Sequence, residues 1–251
     1  YFGVDLFECV MTTKLAKGGT YFLPFNQGSN GAGNVGGAGN PNNQDGFGTA
    51  YLWEKVLCKD SLLEILQKYM HLDYEPTKSW RTGKMIFPRY HQLDAVTKLV
   101  ADAKENGSGK NYLIQHSAGS GKSNSIAWLA YRLSSLHDND DNKVFDSVIV
   151  VTDRKVLDSQ LQNTIYQFDH VPGTVVKIDK GKTSKDLLAA INDGKKIIIT
   201  TLQKFPRIYT EINSVDKKFA VIVDEAHSSQ TGSSAIKLKA ALADTEAALR
   251  E

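Results

Sequence analysis

Residues 118–123, Ala-Gly-Ser-Gly-Lys-Ser, have the composition of a loop that binds phosphate groups. Two glycines allow the backbone to turn and direct its amides at phosphate oxygens, and the helix that follows adds its N-terminal N–H groups and positive dipole end. The Lys122 ammonium can reach the β- and γ-phosphates, and the Ser123 hydroxyl can bind Mg²⁺. The spacing predicts a nucleotide site formed by Ala118, Gly119, Ser120, Gly121, Lys122 and Ser123.

His116 occupies the position where such loops usually begin with glycine. It lies at the end of a predicted strand, where a side chain is tolerated if it points away from the phosphates. We interpret it as a packed histidine in preference to a nucleotide contact. The alternative for the whole motif is a glycine turn with an exposed Lys-Ser pair, but the predicted strand before it and helix after it favour a phosphate loop.

A second candidate site follows the apolar segment 219–223, where the sequence continues Asp-Glu-Ala-His. Asp224 can hold Mg²⁺ through its hydration shell, and Glu225 can act as the general base for an attacking water. The alternative is a solvated acidic pair at a strand end, which a preceding phosphate loop disfavours. The predicted catalytic residues are therefore Lys122, Asp224 and Glu225.

Apolar segments alternate with helical patterns from residue 84 onward. The predicted strands cover residues 112–116, 147–152, 174–178, 196–201 and 219–223. The predicted helices follow Pro88 and residue 121, and two more lie around 155–168 and near 184–193. Such alternation predicts an α/β fold with a mostly parallel sheet and helices on both faces.

A small mixed N-terminal segment and linker, residues 1–78, are expected to precede this domain, which spans 84–251. A polar connector at 73–84 marks the boundary. Residues 49–71 have helical spacing, with Asp60 or Ser61 as the cap of a second helix. The Gly/Asn-rich residues 28–48 contain a match to the dinucleotide pattern G-x-G-x-x-G, but without a strand before it and a helix after it we favour a flexible or turn-rich loop.

Composition limits the class of protein. The 30 Lys and Arg nearly balance the 28 Asp and Glu, so any binding of nucleic acid depends on local patches. The two cysteines form no close pair, which fits a reducing compartment, and no apolar run approaches the ~20 residues of a membrane-spanning helix. We expect a cytoplasmic protein without a membrane partner, and a chain that starts inside a longer one because it lacks an initiator Met and a leader.

The motifs, taken in order, resemble a known family. They are F-P-R-Y-H-Q-L-D-A-V, N-Y-L-I-Q-H-S-A-G-S-G-K-S-N-S-I-A-W-L-A, V-T-D-R-K-V-L-D-S-Q-L, I-I-I-T-T-L-Q-K-F-P and V-I-V-D-E-A-H-S-S-Q-T-G. This order is similar to that of the superfamily 2 helicase-like (DEAH) motors, and within them to the motor/restriction (R) subunit of type I restriction endonucleases. The resemblance implies that residues 84–251 form the first RecA-like lobe of such a motor.

The resemblance also implies roles for residues outside the phosphate loop. On the adenine side of the nucleotide, an aromatic ring can stack and an amide can read the base edge; the matching residues are Arg89, Tyr90 and Gln92. His227 matches the residue that senses the γ-phosphate. The DNA backbone is contacted by residues that match Arg154, Lys155, Thr200, Thr201 and Gln203. Without the family, we would prefer a local explanation, with the threonines as strand formers and Arg154 as a solvated loop cation.

The implied function is an ATP-dependent DNA translocase that restricts foreign DNA, with ATP and Mg²⁺ as cofactors. Its expected partners are double-stranded DNA and the specificity and methyltransferase subunits of a restriction complex. Two alternatives stay open: another superfamily 2 helicase or remodelling motor, and a non-catalytic nucleotide-gated DNA-binding module. Because the motifs of a second lobe and its arginine are not found, we expect weak ATPase activity from this piece alone. No E-x-K precedes the connector, so no nuclease residues are assigned.

Overall fold

The computed structural model describes residues 1–74, 78–117, 119–152, 159–167, 173–178, 181–207, 211 and 217–224. Five predicted site residues lie outside this part of the chain: Ala118, Arg154, Lys155, Glu225 and His227. Within the described residues, no helix is both long and apolar enough to cross a membrane.

The chain divides into two compact units. The first comprises residues 1–98 and 116–125, and the second comprises residues 99–115 and 126–251. The first unit holds a small β-sheet and the phosphate loop, whereas the second holds a larger parallel sheet.

Four parallel strands form the sheet of the second unit in the order β7-β8-β6-β9. The strands are β6 (Ser147–Thr152), β7 (Val175–Lys177), β8 (Ile197–Thr201) and β9 (Phe219–Val223). Strand β6 pairs with both β8 and β9, and its residue Val150 lies beside Ile199 of β8 and Ile222 of β9. The predicted α/β fold with a parallel sheet is confirmed.

Both faces of the central strand β6 are covered. Alternate residues of a strand point to opposite faces, and all six residues of β6 are buried. On one face, Ile149 and Val151 join a cluster with Leu187 and Ile191 of α5 (Ser184–Asn192). Burial on both sides explains why β6 is an unbroken apolar run and not an alternating one.

The other predicted helices also form. They are α2 (Tyr90–Asn106), α3 (Lys122–Ser134) and α4 (Ser159–Gln167). The hydroxyl of Tyr131 in α3 donates to the carbonyl of Ile165 in α4 at 2.9 Å, which ties these two helices together. Apolar residues at helical spacing were sufficient to locate each helix, because a helix satisfies its backbone hydrogen bonds locally.

The prediction of a strand over residues 112–116 is wrong. Residues 111–117 have no regular secondary structure, and Leu113 is 81% exposed. Tyr112 is instead held by a hydrogen bond from its hydroxyl to the Asp102 carboxylate. A strand needs a neighbour to satisfy its backbone, and none of the described strands pairs with this segment.

The N-terminal segment is mixed, as predicted. Strands β1 (Phe2–Val4), β2 (Cys9–Met11) and β3 (Leu23–Pro24) form an antiparallel sheet. Leu52–Val56 forms one π-helical turn before α1 (Lys59–Lys68). The expected cap of α1 is wrong: the helix begins two residues before Ser61, and Cys58 at the N-cap supplies no side-chain hydrogen bond.

The Gly/Asn-rich segment 28–48 is a turn-rich loop with specific closure. Gly28 N–H donates to the Gly39 carbonyl at 2.9 Å, and Ser29 N–H donates to the Gly37 carbonyl at 3.0 Å. The side-chain amide of Asn40 donates to the Phe7 carbonyl at 2.9 Å. Within the described residues, no strand ends directly before its G-x-G-x-x-G match and no helix begins directly after it, so the preference for a loop over a dinucleotide site is supported.

The polar connector between residues 73 and 84 joins two paired strands. Strand β4 (His71–Asp73) runs antiparallel to β5 (Lys84–Ile86). The domain boundary predicted at this connector therefore lies inside a hairpin that belongs to the first unit.

Candidate functional site

The described part of the phosphate loop before α3, residues 119–121, turns sharply into this helix. Gly119 has φ of +74° and Gly121 has φ of +84°, a left-handed conformation that favours glycine. Helix α3 begins at Lys122, which directly follows the second of these glycines. Ser120 N–H donates to the Ser117 carbonyl at 3.2 Å and closes the turn. The start of α3 thus has the backbone geometry that a phosphate-binding helix terminus requires.

Two successive side chains in the first turn of α2 form hydrogen bonds to the phosphate loop. The Nε2 atom of His91 lies 3.1 Å from the Ser120 carbonyl oxygen. The Nε2 atom of Gln92 donates to the Gly121 carbonyl oxygen at 2.8 Å, while its Oε1 accepts from Arg89 N–H at 2.9 Å. Neighbouring residues of one helix therefore bind neighbouring carbonyls of the loop.

His116 packs on His91 at the entrance to the same loop. The two rings are perpendicular, with centroids 5.0 Å apart. Burial lowers the pKa of His116, and the nearby His91 and Lys122 lower it further. Burial also lowers the pKa of His91, against the opposing effect of its hydrogen bond to Ser120. The interpretation of His116 as a packed histidine agrees with this contact, whereas the role of His91 was missed because no spacing rule links it to a residue 29 positions away.

Two buried hydroxyls of the loop and of α3 have no hydrogen-bond partner among the described atoms. They belong to Ser120 and Ser125. An unsatisfied buried hydroxyl is costly, and a phosphate group bound at the loop would supply an acceptor oxygen for Ser120. The residues present therefore fit a ligand that carries phosphate.

Tyr90, predicted for the adenine side, lies in an aromatic cluster of the first unit. Tyr90 is 9% exposed, and its ring packs edge-on against the rings of Tyr51 and Phe25, with centroids 5.0 Å and 5.7 Å away. Burial raises its pKa to about 12. Arg89 precedes it and contributes its backbone N–H to Gln92. The predicted contacts of these residues with a base stay predictions.

The acidic residue Asp224 directly follows β9, at the carboxyl end of the parallel sheet. Its backbone N–H donates to the Val151 carbonyl at 2.9 Å, which extends the ladder between β9 and β6 by one bond. Lys122 and Ser123 belong to the first unit, and Asp224 belongs to the second. Its predicted neighbours Glu225 and His227 are among the residues outside the described ranges.

Two of the predicted DNA-contacting residues end strand β8, and a third follows it. Thr200 and Thr201 are both buried, and Gln203 is exposed in the short 3-10 segment Leu202–Arg207. Thr200 Oγ1 and Thr152 Oγ1, on the neighbouring strand β6, have no hydrogen-bond partner among the described atoms. These two hydroxyls lie near the carboxyl ends of adjacent strands, and this is the edge at which ligands bind in open parallel sheets.

Comparison with known families agrees with the motifs. The model of the SWI2/SNF2 ATPase family matches residues 91–248, which include the phosphate loop, the parallel sheet and the Asp-Glu-Ala-His motif. The chain belongs to the SWI2/SNF2 ATPase family. The match begins at His91, so the SWI2/SNF2 region includes both side chains that bind the loop from α2.

A curated relative of this SWI2/SNF2 chain is the type I restriction enzyme HindI endonuclease subunit of Haemophilus influenzae. The two are 31% identical over 157 residues, which are 57% of this chain and 14% of the relative. The chain therefore spans only a small part of the length of that relative. The predicted resemblance to superfamily 2 ATPases and to restriction subunits is confirmed at this level.

Proposed function

We propose that this chain is the ATP-binding part of a motor that translocates DNA, within the R subunit of a type I restriction endonuclease. The main observation behind the proposal is that His91 and Gln92 form hydrogen bonds to successive carbonyls of the phosphate loop at the start of α3. Membership of an ATPase family and the similarity to a restriction subunit support it.

In the proposed site, the amides of residues 119–123 bind the phosphates, and the Lys122 ammonium neutralises charge on the β- and γ-phosphates. Within the described part of the chain, no three His, Cys, Asp or Glu side chains come together as metal ligands. Mg²⁺ is commonly held by one or two protein oxygens and the phosphates of the substrate. Ser123 would supply such an oxygen, Asp224 would hold the ion through its hydration shell, and bound Mg²⁺ would offset phosphate charge during hydrolysis.

The remaining predicted residues complete the proposed chemistry. Glu225 takes a proton from the attacking water, and His227 senses the γ-phosphate. The adenine side is formed by Arg89, Tyr90 and Gln92. The residues proposed to contact the phosphates of double-stranded DNA are Arg154, Lys155, Thr200, Thr201 and Gln203. Hydroxyl, amide and cationic groups donate to the DNA backbone without reading its sequence, which suits a motor that moves along any DNA.

The proposed motor couples hydrolysis to translocation before DNA cleavage and works in the cytoplasm. Its partners are the specificity and methyltransferase subunits of the complex. The similarity to a restriction endonuclease subunit supports this assignment over other superfamily 2 motors.

Measurement of ATP hydrolysis by the full-length parent subunit, with and without double-stranded DNA, tests the proposal. We expect stimulation by DNA in the wild type and none in Lys122→Ala. Lys98→Ala is a control, since Lys98 is exposed and pairs with Asp94 on the outside of α2. Hydrolysis that DNA does not stimulate, or that persists in Lys122→Ala, would contradict the proposed motor.

A further inference from the structure

We propose that His91 is a positioning residue for the phosphate loop. Its Nε2–H holds the Ser120 carbonyl, with its ring braced by His116, so that the Gly121 amide is directed at the phosphates of a bound nucleotide. This inference rests on the proposed function of the loop and adds a residue and a mechanism to it.

The hydrogen bond determines the proton position on His91. A backbone carbonyl only accepts hydrogen bonds, so the Nε2 atom that lies 3.1 Å from the Ser120 oxygen must carry hydrogen. In the neutral imidazole the Nδ1 atom is then without hydrogen. Burial, which lowers the pKa of both His91 and His116, favours this neutral form.

Peptide geometry transmits this contact to the amides of the loop. In a trans peptide the C=O and N–H groups of one planar unit point in opposite directions, and the described chain contains no cis peptide. The Ser120 carbonyl directed at His91 therefore turns the Gly121 N–H away from α2. In the same way, the Gly121 carbonyl directed at Gln92 turns the Lys122 N–H away from α2. Two successive donors are thus oriented before any ligand binds.

His116 restricts the orientation of the His91 ring. The two rings meet edge to face, with centroids 5.0 Å apart and planes at 90°. This contact limits rotation of the His91 imidazole, whose Nε2 atom must stay directed at the Ser120 carbonyl. Glycine at this position would remove this ring–ring contact. The histidine that departs from the usual phosphate-loop pattern thereby supports the loop without contacting the nucleotide.

Variants of His91 separate hydrogen bonding from packing. In His91→Gln, the side-chain amide can place an N–H donor near the position of Nε2, whereas His91→Leu fills similar space without a donor. The probe is fluorescent N-methylanthraniloyl-ATP, titrated into the full chain in the presence of Mg²⁺. We expect it to bind His91→Leu about tenfold more weakly than the wild type. We expect His91→Gln to stay within about threefold of the wild type. Equal affinity of His91→Leu and the wild type, at equal folded content by circular dichroism, would overturn the proposal.

A second measurement tests the contact without any nucleotide. Long-range ¹H–¹⁵N spectra recorded at about pH 8 report which nitrogen of each histidine ring carries hydrogen. The His91 signals are assigned as those that disappear in His91→Leu. We expect hydrogen on Nε2 of His91, and hydrogen on Nδ1 alone would overturn the proposal. Failure of the wild type to bind the ATP probe would instead contradict the proposed function, while the ring spectra would still decide the contact.

Discussion

The side-chain amide of Gln92 donates to the carbonyl of Gly121 at 2.8 Å, from the first turn of α2 to the residue that precedes α3. Gln92 is 3% exposed, and its oxygen is occupied by the N–H of Arg89. The residue predicted to read a base edge is therefore also a structural support of the phosphate loop. Its substitution would alter the loop whether or not it contacts adenine.

The close approach of Gln92 makes Gly121 sensitive to any side chain. A Cβ at Gly121 would lie 2.6 Å from Gln92 Nε2, and φ of +84° is strained for residues other than glycine. We expect Gly121→Ala to lower the free energy of unfolding by about 2–3 kcal/mol, because the strain adds to the loss of a buried hydrogen bond. Urea denaturation followed by circular dichroism measures this change.

Gly119→Ala is the matched control. Gly119 has a similar φ of +74°, but among the described residues no atom beyond its chain neighbours lies within 4 Å of the Cβ position. We expect a loss of only about 1–2 kcal/mol, from backbone strain. Equal losses in the two variants would show that the contact between Gln92 and Gly121 adds nothing to stability.

Thr200, at the end of β8, has a buried hydroxyl without a partner among the described atoms. We expect Thr200→Val to keep or raise the free energy of unfolding, by up to about 1 kcal/mol, because valine has the same shape and removes an unsatisfied polar group. Thr200→Ala, which also opens a cavity, should be less stable than Thr200→Val. A loss of stability in Thr200→Val would mean that the Thr200 hydroxyl has a partner in the wild type. Weaker DNA binding by this variant at unchanged stability would support the proposed DNA contact.

Helix α5 begins with a capping box. The Thr183 hydroxyl accepts from Lys185 N–H at 3.2 Å, and the Asp186 carboxylate accepts from Thr183 N–H at 2.5 Å. We expect Thr183→Ala to destabilise the fold by about 1 kcal/mol in thermal or urea unfolding, and Thr183→Ser to restore most of that loss. Equal losses for Ala and Ser would argue against capping.

The same capping box predicts a dependence on acid pH. The hydrogen bond from Thr183 N–H is the main reason why the pKa of Asp186 is lowered. Its stabilising effect is therefore present above the unfolded-state pKa and is lost as the pH falls through the folded-state pKa. We expect Asp186→Asn to show a smaller decrease in unfolding midpoint than the wild type between about pH 5 and pH 2.

Burial in the first unit predicts sensitivity to alkali. It raises the pKa of Cys9 from 9.0 to about 11 and that of Tyr90 from 10.0 to about 12, and it also raises the pKa of Tyr51. Because the unfolded chain releases these protons first, we expect the free energy of unfolding to fall as the pH rises from about 9 to 11.

Substitution of Tyr90 tests the alkaline effect. Tyr90→Phe keeps the ring in the aromatic cluster and removes one titrating hydroxyl, so we expect a shallower pH dependence between about pH 10 and pH 11. Tyr21→Phe is the control, since Tyr21 is 76% exposed. Parallel pH profiles for Tyr90→Phe and the wild type would contradict the contribution of Tyr90.

Local patterns in the sequence determined much of this fold. The apolar segments at 147–152 and 219–223 predicted β6 and β9 with these bounds, and apolar residues at helical spacing predicted α2 and α3. The phosphate loop was also visible, because its chemistry depends on glycines, a lysine and a serine at adjacent positions. Each of these features depends on interactions between residues close together in the chain.

Tertiary structure alone decided which segments pair and which side chains meet. Residues 112–116 have the composition of a strand but no partner among the described strands, since pairing depends on a distant segment. His91 meets His116 and the Ser120 carbonyl only because packing in the first unit places the start of α2 under the phosphate loop. These contacts join residues far apart in the chain, 29 positions in the case of His91 and Ser120, so no local preference encodes them. The support of the loop becomes apparent only in three dimensions.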